Sequence, residues 1–213
     1  MHEIGATRSE SILATRPIMD LVRRARLAVV ALSALAPSPT WAHIGDSSVN
    51  GFLHPFGGLD HLLAISIVGV LAGSSERKRT GLSLALLFLG AMAVGGVAGI
   101  GTLMPLVELA VAGSVLVLGL LLMLPRRPNL LVIAVLVAAT ALAHGWAHGA
   151  ELPVGAEPAA YAAGFLTATA LLLACGAVAG RVIGFVGQRC VRLVRLAGLA
   201  IAGSGIMLVA GTA

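Results

Sequence analysis

The chain has 213 residues, 58% of them hydrophobic and only 11% charged, with a mean hydropathy of +1.00. Soluble domains carry about 25% charged residues, so this composition excludes an ordinary soluble enzyme and points to an integral membrane protein. The formal net charge of +5 would suit nucleic acid, but the basic residues lie in short clusters between apolar runs. That pattern encodes membrane orientation and is not a binding stripe.

The first 42 residues stand apart. Arg23, Arg24 and Arg26 precede an apolar run from Leu27 to Ala36, then come Pro37, Pro39 and the small residues Thr40 and Ala42. This order predicts an N-terminal extension and signal peptide over 1–42, cleaved after Ala42. The apolar run is only roughly ten residues, short for a span of about 20. Residues 43–213 then form the mature membrane domain with His43 at its N-terminus. Met19 competes with Met1 as the start of translation.

Six apolar segments follow, at about 55–73, 81–101, 105–124, 130–147, 159–180 and 193–213. Short connections predict an all-α, six-helix, up-and-down transmembrane bundle. The segments 74–80, 125–129 and 181–195 carry every Lys and Arg of the mature chain, whereas "GTLMP" and "ELPVGAEP" carry none. The asymmetry places the basic loops in the cytoplasm and both mature termini outside, in the bacterial inner membrane. Gly95 with Gly99, and Gly180 with Gly184, are spaced for close helix contact in lipid. Cys175 and Cys190 have no nearby metal-site partners and are expected simply to pack. There is no Walker-type loop and no dinucleotide fingerprint, so neither a nucleotide nor a prosthetic group is expected.

The orientation turns scattered ionisable residues into a group. His54, Asp60 and His61 open the first span, Glu108 lies near the start of the third, and His144, His148 and Glu151 close the fourth. All fall at the outer end, where His43 would also lie. His144 and His148 are about 40° apart on one helical face. Glu151 would share that face if the helix survives Gly149 and Pro153. On the first span, Gly57 and Gly58 either keep His54 and His61 on one face or unwind the segment, as broken helices do at transporter sites; the broken form is favoured. Taken singly, an interfacial His is ordinarily just hydrated, Glu108 could serve its helix dipole and Asp60 could cap its span. Four imidazoles and three carboxylates at one depth are harder to explain so, because intramembrane ionisable groups default to function. Imidazole with carboxylate and without thiolate suits a borderline divalent ion such as Ni²⁺, Co²⁺ or Zn²⁺, and the ligand set does not choose among them.

These residues resemble the HupE/UreJ family of hydrogenase and urease accessory membrane proteins, regarded as nickel permeases. The resemblance rests on "HPFGGLDHLLAISIVGVLAG", with its H-x5-D-H arrangement, on "LMPLVELAVAGSVLVLGLLL" and on "ALAHGWAHGAELP", and it covers essentially the whole mature chain. It implies nickel as the transported ion, His54, Asp60 and His61 as metal-binding residues, and His144, His148 and Glu151 as contributors. The expected function is uptake of Ni²⁺ for hydrogenase or urease maturation, by a protein that is not an enzyme. Its partners would be the divalent ion and the lipid bilayer, with a homo-oligomer left open. Two rivals remain. One is an intramembrane zinc hydrolase using Asp60 or Glu108 as base. The other is a membrane scaffold for metalloenzyme assembly, which the short cytoplasmic loops disfavour.

Overall fold

The computed structural model describes residues 47–102, 106–186 and 188–211. The expected signal peptide, its cleavage point after Ala42 and His43 lie outside the described residues. Among the described residues there is no strand, and seven helices follow one another. They are α1 (Ser47–Gly57), α2 (Leu59–Gly73), α3 (Lys78–Gly99), α4 (Val107–Met123), α5 (Leu130–Ala150), α6 (Pro158–Val186) and α7 (Gln188–Gly211). Four are long and apolar enough to cross a bilayer, and five when α1 and α2 count as one bent span. At 17 residues, α4 is shorter. Large apolar side chains such as Leu82, Val97, Leu131 and Val178 face outward, while His61, Ser114, Thr140, His144, His148 and Thr169 are the buried polar residues among those described. An apolar exterior around an interior that holds the few polar side chains is the build of a multi-pass membrane protein.

The first span corrects the sequence reading. Its helix runs from Ser47, not from near residue 55, while the 83° turn of the axis between α1 and α2 is the favoured break. Pro55 lies inside α1 and removes one amide donor, and Gly57 and Gly58 are poor helix formers. Gly58 takes an extended conformation (φ −109°, ψ 123°) as the N-cap of α2. A side chain there would collide with Asp60 Oδ1 and His61 Nδ1, whereas Gly57 has open space around it. So Gly58 is required by what packs against it, not by its backbone angles.

Other helix ends follow from local chemistry. Asn129 caps α5 by accepting the Val132 amide at 2.9 Å. At the far end the Glu151 amide donates to the Ala147 carbonyl at 2.9 Å, so the last turn survives Gly149 and keeps Glu151 beside His148. Pro158 opens α6, where its missing amide costs nothing. The Glu157 carboxylate accepts the Ala159 and Ala160 amides. The Glu157 amide in turn donates to Ser47 Oγ at 3.0 Å, tying the start of α6 to the start of α1.

The tight packing is not the up-and-down neighbour pairing that short loops suggested. Close contacts join α2 with α6 and α3 with α5 in parallel, and α4 with α7 antiparallel. Gly69 and Gly73 meet Gly176 and Ala177; Gly95 and Gly99 meet the backbone of Leu142 and Trp146. Lipid gives no hydrophobic drive for helices to associate, so backbones that approach closely through small residues decide the pairing. Gly180 belongs to such a seam, but Gly184 faces open space, which corrects the expected Gly180–Gly184 pair. Between the seams Ile65, Val68, Phe88, Met92, Val115, Leu118 and Val137 are wholly buried.

The two ends of the bundle differ in chemistry. Where α2 finishes and α3 and α5 begin, Ser74, Ser75, Glu76, Arg77 and Arg127 line a cleft of about 620 Å³. There Arg127 donates to the Leu71 carbonyl at 3.3 Å, and Arg195 to the Pro125 carbonyl at 3.4 Å. The histidines gather at the opposite ends of α2 and α5.

Candidate metal centre

Three helices deliver four imidazoles to one place. His54 comes from the last turn of α1, His61 from the first turn of α2, and His144 and His148 from the last turns of α5. The His148 ring is the hub, with centroids 4.6 Å from His54, 4.4 Å from His61 and 4.0 Å from Phe165 on α6. His61 also lies 4.7 Å from His144 and 6.1 Å from His54. The expected common face of His144 and His148 is thus the buried one, at 0% and 3% exposure. The bend after α1 brings His54 and His61 together from two separate helices.

Ring nitrogens here are short of partners. His61 Nε2, His144 Nδ1 and both nitrogens of His148 are buried without a hydrogen bond. A buried polar atom left unmatched costs about 1–3 kcal/mol, and these four are ring nitrogens with the chemistry to bind a cation. His54, His148 and Glu151 each offer one ligand atom, all within 4.8 Å of one another. His54 Nε2 and Glu151 Oε2 are 3.6 Å apart. An ion bound at about 2.1 Å to each would draw a tetrahedral set to about 3.4 Å separation, close to the 3.6 Å already between His54 and Glu151.

The carboxylates are not equivalent. Asp60 Oδ1 accepts both the His61 amide at 2.8 Å and His61 Nδ1 at 2.7 Å. A carboxylate acceptor places the hydrogen on Nδ1 and leaves Nε2 with its lone pair, the carboxylate–imidazole arrangement that orients metal-binding histidines. Asp60 thus stands behind His61, outside the ligand trio. Glu151 lies at the rim, and partial burial raises its carboxyl pKa; the His61 charge opposes the rise, and Asp60 and Glu108 reinforce it. Glu108 sits in the first turn of α4, near enough to act on Glu151 through its charge but outside the trio.

Residues 27–208 match the family model described as "HupE / UreJ protein". The chain belongs to the HupE/UreJ family. A relative named "Protein HupE", from Rhizobium leguminosarum bv. viciae, is 41% identical over 186 residues, which cover 84% of this chain and 95% of its own length. No solved structure matches. In this HupE/UreJ chain the first and third motifs quoted for the resemblance, on α1–α2 and at the end of α5, meet in one cluster although 67 residues of sequence lie between them.

Three neighbours of this HupE/UreJ site escaped the sequence reading. Ser114 on α4 touches His144. Tyr161, whose buried hydroxyl has no partner, lies 6.0 Å from His54 by ring centroid. Phe165 packs on His148. Tyr161 is the single tyrosine of the chain, and Ser114 interrupts an otherwise apolar run of α4; these are the only signals the sequence offered.

Proposed function

We propose that this protein is a permease for a divalent transition-metal ion, with nickel as the cargo, serving hydrogenase or urease maturation. The observation that carries the proposal is the convergence of four histidines and Glu151, with bare ring nitrogens, at one end of a membrane bundle. Family membership supports nickel over cobalt and zinc. The bundle crosses the inner membrane six times, with α1 and α2 forming one broken span and α4 a short one. The signal peptide is removed after Ala42, and the histidine end faces the periplasm because the arginine loops lie at the other end. His54, His148 and Glu151 capture the ion, with His61 and His144 immediately below; Asp60 orients His61, Glu108 adds negative charge at the mouth, and His43 extends the site from the mature N-terminus.

A divalent ion falling through the membrane potential gains about 4.6 kcal/mol per 100 mV, a roughly thousand-fold accumulation. Uptake therefore needs no nucleotide. The apolar core below the histidines is filled by Phe88, Met92, Leu118 and Val137, so passage requires helices to part. Within that layer Thr169 donates to Met92 Sδ at 3.8 Å, a polar contact one helical turn below Phe165.

The test is uptake of radioactive nickel into cells expressing wild type, His54→Ala or His148→Ala, with cobalt and zinc as competitors. Wild type should accumulate nickel and both variants should fall to background. Uptake no greater than in non-expressing cells would sink the proposal, and block by zinc alone would reassign the cargo.

A further inference from the structure

We infer that Ser114 is a positioning residue that fixes which nitrogen of His144 meets the ion. The inference rests on the metal site proposed above. Ser114 Oγ lies 2.9 Å from His144 Nε2 and donates to the Val111 carbonyl at 2.7 Å. Serine has a single hydroxyl hydrogen, and the Val111 carbonyl takes it. Ser114 Oγ therefore accepts, and His144 Nε2 must carry a hydrogen and donate. In neutral imidazole the other nitrogen is then an unprotonated acceptor.

That other nitrogen, Nδ1, is buried with no partner in a side chain that is 0% exposed. A bare lone pair on a ring packed against the His61 imidazole is matched by a cation. The opposite tautomer would bury an orphan N–H donor and present hydrogen where the ion must bind. Ser114 does for His144 what Asp60 does for His61: each accepts one ring N–H and leaves the second nitrogen free. The two supports come from different elements, α4 and α2, and act on the two histidines that lie 4.7 Å apart. A serine among apolar residues of α4 could instead satisfy itself on its own helix, as Ser204 does with the Ala200 carbonyl. Ser114 does that and also meets the imidazole, and self-satisfaction on the helix does not account for this second bond.

The experiment uses the purified full-length protein in detergent with ¹⁵N-labelled histidine, free of metal. His144 signals are assigned by their loss in His144→Gln. The expected result is a protonated Nε2 and an unprotonated Nδ1 on His144; a proton on Nδ1 would overturn the inference without any substitution at Ser114. Nickel binding is then measured by calorimetry. Ser114→Ala should weaken binding by about 10–100-fold, the usual effect of removing a support behind a metal ligand, and Ser114→Thr, which keeps the hydroxyl, should restore it. Equal affinity in Ser114→Ala and wild type, or equal weakness in the Ala and Thr variants, would refute it. Should wild type bind no nickel, the permease reading falls, and the tautomer still decides the role of Ser114.

Discussion

Replacing Asp60 by Asn tests the arrangement most sharply, because the amide oxygen can still accept from His61 while the charge is gone. The hydrogen bond to His61 Nδ1 spans 2.7 Å. Adding the imidazole ring and a metal–nitrogen bond of about 2.1 Å puts the carboxylate charge about 7 Å from an ion on Nε2. Its attraction for a divalent ion is then about 5 kcal/mol at an effective dielectric of 20, and about 1 kcal/mol in water. The site lies between those limits, since His144 is fully buried and the Glu151 side chain is 57% exposed. Asp60→Asn should therefore weaken nickel binding by about 1.4–2.7 kcal/mol, or 10–100-fold, in keeping with other supports of metal ligands. Equilibrium binding of radioactive nickel to the purified variant reads this directly, with His61→Ala alongside. Affinity within twofold of wild type would show that the Asp60 charge adds nothing to ion binding. A loss as complete as in His61→Ala would show that Asp60 is itself a ligand.

Acid should impair uptake, because imidazole binds metal only when neutral and because Glu151, its pKa raised by burial, takes up a proton at a higher pH than an ordinary carboxyl and so ceases to be an anionic ligand sooner. Nickel uptake should thus fall as acid titrates Glu151, at a pH above the ordinary carboxyl range; uptake that stays flat down to that range would remove Glu151 from the capture step. Gly73→Ala should destabilise the bundle by about 1–3 kcal/mol, since a methyl there overlaps the Ala177 backbone and α2 must move off α6. Gly184→Ala, with open space around it, should leave the thermal midpoint in detergent unchanged or raised. Equal melting shifts in the two variants would refute the seam assignment.

Much of the site was legible in the chain because its signals are local. Hydropathy marks the spans, and the 3.6-residue period alone puts His144 and His148 on one face. The glycine pair before Asp60 suggested a break, and the 83° bend after α1 is that break. Legibility stopped where partners come from distant sequence. Hydropathy does not say that α3 lies against α5 and α2 against α6, since every apolar face is equally content in lipid; backbone fit at Gly69, Gly73, Gly95 and Gly99 decides it. In the sequence Asp60 and His61 look like equal ligands, and only the fold shows Asp60 Oδ1 hydrogen-bonded to His61 Nδ1.

By itself, then, the sequence determined that the chain is a helical membrane protein of the HupE/UreJ family with metal-philic residues near certain span ends, because composition, helical period and motif are properties of contiguous residues. Only the tertiary structure decided that His148 is the hub, that Gly58 clears room for the Asp60–His61 pair, and that Ser114, some thirty residues from His144 in the chain, reaches its ring. Those depend on which nitrogen finds a partner in a closed interior, and a hydrogen bond is settled by distances of a few tenths of an ångström between helices that the sequence does not place.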